Sequence, residues 1–490
     1  MEKTEYFEIS DYSAEYGPRP FILSSKRVIS FQDFFQLVDD AAIQLRQKNI
    51  TAGDRVALLG ANSVEHLILL MALWQLEAVA VPVSERFPEN QLVELLSAAG
   101  CSKIILINHA HDIELKLFNS EILSFKFQVS SFKSKVENRE PRNTNHETRS
   151  PIPLEHLATI IFTSGSSGQP KAALHTIGNH YFSAAGSNEN IPFGARDCWL
   201  LSLPLYHVGG LAIFFRALVG GGAIAIPEPG MTLPQTIGKS EVTHISLVAT
   251  QLFRLLQSED GRKALSRLKA ILLGGSAIPR TLIQQAIELG LPIHTSYGST
   301  EMASQITTTP PNASPDKLFT SGKCLKHREI EISADGEILV KGKTLFSGYI
   351  EDDSRKRNVD NSGWFATGDI GKIDEDGYLV VVGRKDNMFI SGGENIQPEE
   401  IETCLCQMEN INRAVVVAVE NKEFGKRPIA FIELKKNQLI AEAAIRKFLN
   451  RYIARFKIPD YFFPWPDAVN QAGIKVDRQY FQKLAGKLVK

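Results

Sequence analysis

Apolar positions in "SFQDFFQLVDDAAIQLRQK", Ser30 to Lys48, fall at helical spacing, whereas "RVALLG" from Arg55 is a short apolar run that reads as a buried strand. The alternation continues with a helix from His66, the strand "AVAVPV", the helix "ENQLVELLSAAG" and the strand "KIILI". It resumes at "LATIIFTSG" and runs through "GAIAIP", "THISLVA", "LKAILLGG" and "PIHTSYG". Helices alternating with strands predict parallel sheets with helical crossovers, an α/β fold. Several of these strands end where small or polar residues begin, which is where open α/β sheets usually bind ligands. From Thr320 to Gly383 the texture changes to "REIEIS", "GEILVKG" and "GYLVVVGR", separated by Asp and Gly turns, and predicts a small antiparallel sheet. After "GRKDN" a compact tail offers the helix "PEEIETCLCQM", the strands "RAVVVAVE" and "PIAFIELK", the helix "AEAAIRKFLNRYI" and a basic end. The polar, proline-dotted stretch from Ser134 to Pro153 reads as a surface linker.

Composition narrows the class. The chain has 490 residues, 43% hydrophobic and 22% charged, which suits a globular protein of two or more folding units. A formal charge of −1 gives no global pull towards nucleic acid or an anionic membrane, so an anion site must be built locally. Met1 to Ser10 carries acids and no apolar run, unlike a secretory or transit peptide. The stretch from His66 to Val83 is broken by Gln75 and Glu77 and closed by Pro82, and it reads as a buried helix and strand rather than a membrane span. Five cysteines without a CxxC pair indicate neither a zinc site nor a disulfide framework. A cytoplasmic location fits best.

The loop "TSGSSGQPK", Thr163 to Lys171, follows a strand and concentrates anion-binding chemistry. It is not a Walker A sequence, because Pro170 stands where the second glycine is required. Gly165 and Gly168 let backbone amides approach an anion, Thr163, Ser164, Ser166 and Ser167 offer hydroxyls, and Lys171 adds a point charge. A charge pair about 4 Å apart at an effective dielectric of about 20 is worth roughly 4 kcal/mol before desolvation, enough to orient a triphosphate. Taken alone, Glu301 reads as a solvated acid in the first turn of a helix capped by Ser299, and Tyr297 as a core aromatic.

The same loop resembles the phosphate loop of the adenylate-forming superfamily of acyl-CoA ligases, peptide-synthetase adenylation domains and luciferases. Four more blocks follow in the family's order: "SYGSTE" (Ser296 to Glu301), "WFATGD" (Trp364 to Asp369), "GRKDNMFISGGENIQPEEIE" (Gly383 to Glu402) and "AGIKVDR" (Ala472 to Arg478). The resemblance implies an acyl-adenylate synthetase fold, with a large N-terminal domain (residues 1–385) hinged to a small α+β C-terminal domain (residues 386–490). It implies that ATP is held by the loop with Lys171, by Gly274, Gly275 and Ser276, by Ser296, Tyr297, Gly298 and Thr300, and by Asp369 with Arg384. Glu301 then carries Mg²⁺, Asp386 is the hinge, and Ser391, Gly392 and Gly393 line the coenzyme A channel. Lys475 is implied as the catalytic lysine; Ile474 precedes it where the family usually has Gly, and on composition alone it is one of several basic tail residues.

"SLPLYHVGGLAIFFRAL", Ser202 to Leu218, resembles the segment guarding the acyl pocket, which the resemblance builds from His207, Gly275, Ser299 and Arg216. Arg216, on a predicted helix, either pairs with a second carboxylate of the substrate or is solvated or ion-paired. No acid stands in this segment to clamp an amino group, which argues against amino-acid activation. In detail this segment and "SYGSTEMASQITT", Ser296 to Thr308, most resemble the 2-succinylbenzoate–CoA ligases of menaquinone synthesis. The implied reaction is ATP-dependent formation of an acyl adenylate and then a CoA thioester. A fatty or aromatic acyl-CoA ligase, and an inactive nucleotide-binding relative, are the alternatives. Expected partners are a small carboxylic acid, ATP and CoA, with no nucleic acid and no membrane insertion; a homo-oligomer stays open.

Overall fold

A computed structural model of the chain describes residues 5–7, 9–24, 27–87, 89–107, 121–123, 151–163, 170–351, 354–356, 359–435, 441–466 and 478–489. Among the described residues two large sheets dominate, one of eight strands and one of nine. In the first, Val79–Val83, Arg55–Leu59, Lys103–Leu106 and Glu121–Leu123 run parallel, as their unbroken apolar character predicts. Leu157–Thr163 joins them in parallel and then turns back antiparallel into Lys171–Thr176. In the second, Ala223–Ala225, Cys198–Leu200, His244–Leu247, Ala270–Leu273 and Ile293–Ser299 are parallel neighbours, followed by the antiparallel strands Ser304–Thr308 and Lys323–Cys324.

The helices between strands bury their apolar faces in the shared core. Helix Val64–Gln75 starts where the Ser63 hydroxyl accepts from the His66 N–H, and every residue from His66 to Trp74 is buried. Trp74 Nε1 donates to the Ala158 carbonyl at 2.8 Å, so this hydrophobic run is core. No described helix is long and apolar enough to cross a membrane. The expected linker falls largely outside the described residues, and its end is corrected: Ile152 and Pro153 form a short strand paired with Phe7 and Tyr6.

The antiparallel region is a four-stranded sheet of Arg328–Ile332, Glu337–Gly342, Phe365–Ile373 and Leu379–Arg384. One hairpin within it departs from that sheet. Gly348–Glu351 instead pairs with Lys171–Thr176, setting Tyr349 opposite Ala173. Beyond the short turn Lys385–Asn387 comes the hairpin Phe389–Ser391 and Glu394–Ile396, whose turn needs positive φ at Gly392 (59°) and Gly393 (87°). Helix Pro398–Leu405 and the sheet of Ile411–Asn421, Gly425–Leu434 and Tyr461–Pro464 then enclose their own apolar clusters, with helix Arg478–Leu488 on the opposite face.

Candidate active site

Thr163 and Lys171 are register partners of two antiparallel strands; Ser164, Gly165, Ser166, Ser167 and Gly168, between them in the sequence, lie outside the described residues. Lys171 is exposed, and its Nζ stands 5.2 Å from the centroid of the Tyr349 ring. The Tyr349 hydroxyl donates to Glu301 Oε1 at 2.5 Å. Burial, reinforced by the neighbouring Glu301 charge, raises the Tyr349 phenol, which therefore stays protonated as a donor.

Glu301 sits in a single 3₁₀ turn, Thr300–Met302. The expected Ser299 cap is absent: Ser299 Oγ is buried without a hydrogen-bond partner among the described residues. The turn is held from outside, by the Phe346 N–H donating to the Glu301 carbonyl at 2.7 Å and by His175 Nε2 bonding the Thr300 carbonyl at 2.7 Å. Burial lowers His175 to about 4, so the ring is neutral and its Nε2–H is the donor. Glu301 keeps its second carboxylate oxygen without a partner among the described residues, and a half-buried, oriented carboxylate oxygen suits a hard cation such as magnesium.

A second cluster joins the adjoining strands. The Tyr297 hydroxyl donates to Asp369 Oδ2 at 2.6 Å, and Arg384 donates to Asp369 Oδ1 at 3.0 Å. Tyr297 is therefore more than an aromatic face; burial and Asp369 together push its phenol well up. Asp369 is within strand Phe365–Ile373, and Arg384 is its register partner. Arg384 also reaches Asp386 Oδ2 at 3.3 Å; burial alone would lower this guanidinium, but the two aspartates outweigh it and raise it. Next to this cluster, a Cβ at Gly274 would stand 2.6 Å from Ser296 Oγ, and Gly275 has φ 83°, so this strand end requires glycine. Ser276 is exposed beside it.

His207 is exposed at the start of helix Val208–Gly220, its ring edge-on to Tyr206 at 4.7 Å. Arg216, on the same helix, is neither solvated nor ion-paired among the described residues: it is 1% exposed. Its Nε donates to Ser187 Oγ at 2.8 Å, one terminal nitrogen donates to Gln305 Oε1, and the guanidinium stacks 4.8 Å over Trp199. Burial, with repulsion from Arg328, lowers it to about 9. Gln305 pairs with Gly298 of the "SYGSTE" strand, which brings this network to the edge of the candidate site.

The AMP-binding enzyme profile matches residues 10–350, and the profile of that family's C-terminal domain matches residues 400–470. The chain belongs to the AMP-binding enzymes. Among its relatives is a 2-succinylbenzoate–CoA ligase from Geobacillus kaustophilus, 33% identical over 478 residues and covering 95% of each chain. Two solved structures of o-succinylbenzoate coenzyme A synthetase from Bacillus subtilis are similar along nearly the whole chain. The complex with the acyl-adenylate intermediate gives a TM-score of 0.82 at 27% identity, covering 98% of both chains. The complex with ATP and magnesium ion gives 0.80 at 28% identity, covering 94% of this chain and 96% of the other.

The C-terminal part of this AMP-binding enzyme contributes separate pieces. Ser391 is 3% exposed and accepts from Arg427 at 3.3 Å, while the Gly392 N–H donates to the Phe424 carbonyl at 2.9 Å. Lys475 lies outside the described residues, three positions before Arg478. Arg478 is clamped by Glu402 at 2.6 Å and Glu399 at 3.2 Å. Tyr349, His175 and Gln305 do not stand out in the sequence, because the residues they bond, Glu301, Thr300 and Arg216, lie 48, 125 and 89 positions away.

Proposed function

We propose that this chain is an ATP-dependent acid–CoA ligase that activates 2-succinylbenzoate, in two half-reactions at one site. A carboxylate is a poor electrophile because its leaving group is oxide. Its oxygen therefore attacks the α-phosphorus of ATP, pyrophosphate leaves, and the acid becomes an acyl adenylate. The coenzyme A sulfur, having lost its proton, then attacks the acyl carbon and AMP departs. The first step brings an anion to a polyanion, and it depends on cations and positioning.

The observation that carries this reading is the cluster of Glu301, Tyr349 and Lys171, a cation and an oriented carboxylate joined by one side chain. Lys171 and the loop hold the outer phosphates, and Glu301 holds magnesium, which neutralises charge on the phosphate oxygens. Asp369 with Arg384 takes the ribose hydroxyls, and Tyr297, with Gly274, Ser276, Ser296, Gly298 and Thr300, borders the adenine. The acyl chain lies against His207, Gly275 and Ser299, whose buried hydroxyl, without a partner among the described residues, suits a carboxylate or carbonyl oxygen. Arg216 meets the second carboxylate. Lys475 acts in adenylation; the chain hinges at Asp386, after residue 385, and the Ser391–Gly393 turn lines the path of coenzyme A. The relatives' named substrate supports the choice of acid, and dependence on ATP and coenzyme A supports a cytoplasmic location.

Pyrophosphate release measured with a panel of acids, with and without coenzyme A, tests the reading. 2-Succinylbenzoate should lead the panel, and octanoate or benzoate leading it by about tenfold, a ~1.4 kcal/mol preference, overturns the substrate. Lys475→Ala should abolish adenylation while thioester formation from preformed adenylate persists.

A further inference from the structure

Buried arginines normally sit against carboxylates, because a buried cation without an acidic partner is costly. Arg216 departs from that rule. Its Nε and one terminal nitrogen are satisfied by Ser187 and Gln305, both neutral, and its other terminal nitrogen has no partner among the described residues. A second arginine adds to the local positive charge: Arg328 is 6% exposed and donates to the backbone carbonyl of Gln305 and, at 3.2 Å, to that of Ser183. No described acid pairs with either guanidinium.

Gln305 is held in one orientation by its own bonds. Thr308 Oγ1 spends its proton on the Thr307 carbonyl at 2.7 Å, so towards Gln305 it can only accept, and Gln305 Nε2 donates to it at 2.5 Å. The amide oxygen is thereby turned to the other side, where it accepts from Ser187 Oγ at 2.8 Å and from Arg216. Ser187 closes the triangle by accepting from Arg216 Nε. The residue is 4% exposed and is the strand partner of Gly298.

We infer that Gln305 is a specificity-determining positioning residue: as a neutral acceptor it aims the Arg216 guanidinium without cancelling its charge, reserving that charge for a second carboxylate on the acid substrate. The inference rests on Arg216 as the partner of that carboxylate. It explains why an amide, and not the nearly isosteric carboxylate that would satisfy Arg216 better, stands at this position. Charge compensation is completed only when a dianionic substrate binds, so a monocarboxylic acid leaves the cation unpaired.

Gln305→Glu tests this, compared with wild type and Arg216→Met, using 2-succinylbenzoate and benzoylpropionate, which has the same oxo-acid chain without the ring carboxylate. Gln305→Glu gives Arg216 a permanent anionic partner at the cost of the bond donated to Thr308, and its melting temperature is read first to establish that the variant is folded. The diacid-to-monoacid ratio of kcat/KM should fall by about tenfold or more, ~1.4 kcal/mol, the loss appearing in KM and not in kcat. A merely structural amide would shift the melting temperature and leave the ratio alone. If Arg216→Met collapses the ratio and Gln305→Glu does not, the role of Gln305 is wrong and the Arg216 subsite stands. If Arg216→Met leaves the ratio unchanged, the subsite itself is wrong. Should Gln305→Glu fail to fold, Gln305→Met removes the aiming bond without adding charge: a reduced ratio supports the inference and a wild-type ratio overturns it.

Discussion

The Tyr349 hydroxyl donates to Glu301 at 2.5 Å while the face of its ring lies 5.2 Å from the Lys171 ammonium, so one side chain touches both the carboxylate and the cation assigned to the nucleotide phosphates. Tyr349→Phe separates the two contacts. It keeps the ring under Lys171 and removes the bond that orients Glu301. A hydrogen bond to a charged group contributes roughly 1.5–3 kcal/mol, so magnesium-dependent nucleotide binding should weaken by about tenfold or more. Titrating magnesium against the binding of a fluorescent ATP analogue reads this directly. Tyr349→Ala, which also removes the ring, should weaken binding further, and a wild-type titration for the phenylalanine variant would mean the hydroxyl is incidental.

Asp369 receives the Tyr297 hydroxyl on one oxygen and Arg384 on the other, which fixes the carboxylate plane before any ligand arrives. Asp369→Ala should lower ATP affinity by roughly 10- to 100-fold, the worth of one or two charge-assisted bonds. The same variant should bind ATP and its deoxyribose counterpart about equally, whereas wild type should prefer ATP. Isothermal titration with both nucleotides checks the pair, and an undiminished preference in the variant removes Asp369 from the ribose site.

The local pattern made the elements readable: "LATIIFTSG" and "LKAILLGG" become strands Leu157–Thr163 and Ala270–Leu273, because short continuous apolar runs suit the buried strands of an α/β sheet, and the more polar "PIHTSYG" follows them as strand Ile293–Ser299. Motif residues such as Lys171, Glu301 and Asp369 were visible through the order of their blocks. Their supports were not. Tyr349 meets Glu301 because a hairpin leaves its own sheet to pair with Lys171–Thr176, and nothing in "FSGYIED" announces that choice. Arg216 was readable as helical, but its neutral company arises from a helix and a strand 29 and 89 positions away. Long-range pairing of side chains is a property of the packed sheets, and a single sequence carries almost no signal for it.

Gly298 faces its hairpin partner so closely that an added Cβ would stand 2.1 Å from the Ser304 carbonyl oxygen, a backbone atom that cannot move aside cheaply. The register shift between Tyr297 and Gly298 lies at the same point. Gly298→Ala should displace the turn that carries Glu301 and reduce adenylation by at least about tenfold, ~1.4 kcal/mol. The loss should be largest in magnesium dependence, because Tyr297 and Asp369 lie on the far side of the shift. Pyrophosphate release at graded magnesium concentrations would register it, and wild-type behaviour would show that the bulge tolerates a methyl group.

His66, His175 and His180 are buried as neutral rings: burial brings His66 and His175 each from 6.5 to about 4, and burial together with its neighbour His175 pushes His180 well below its ordinary value. Below 6.5 the unfolded chain binds protons at these positions that the folded chain refuses, so stability is complete above that value and is lost as pH falls towards about 4. Each pH unit separating the folded from the unfolded titration is worth about 1.4 kcal/mol, so protonating one such ring costs on the order of 3 kcal/mol when the loss is complete, enough to matter against ordinary domain stability. Melting temperatures measured across this window should fall steadily with acidification. His66 has one ring nitrogen bonded to the Ala61 carbonyl at 3.3 Å and the other without a partner among the described residues, so His66→Gln retains a donor while removing a titrating group. That variant should show a shallower decline than wild type over the same range. An equal slope in both proteins would assign the acid sensitivity to other groups.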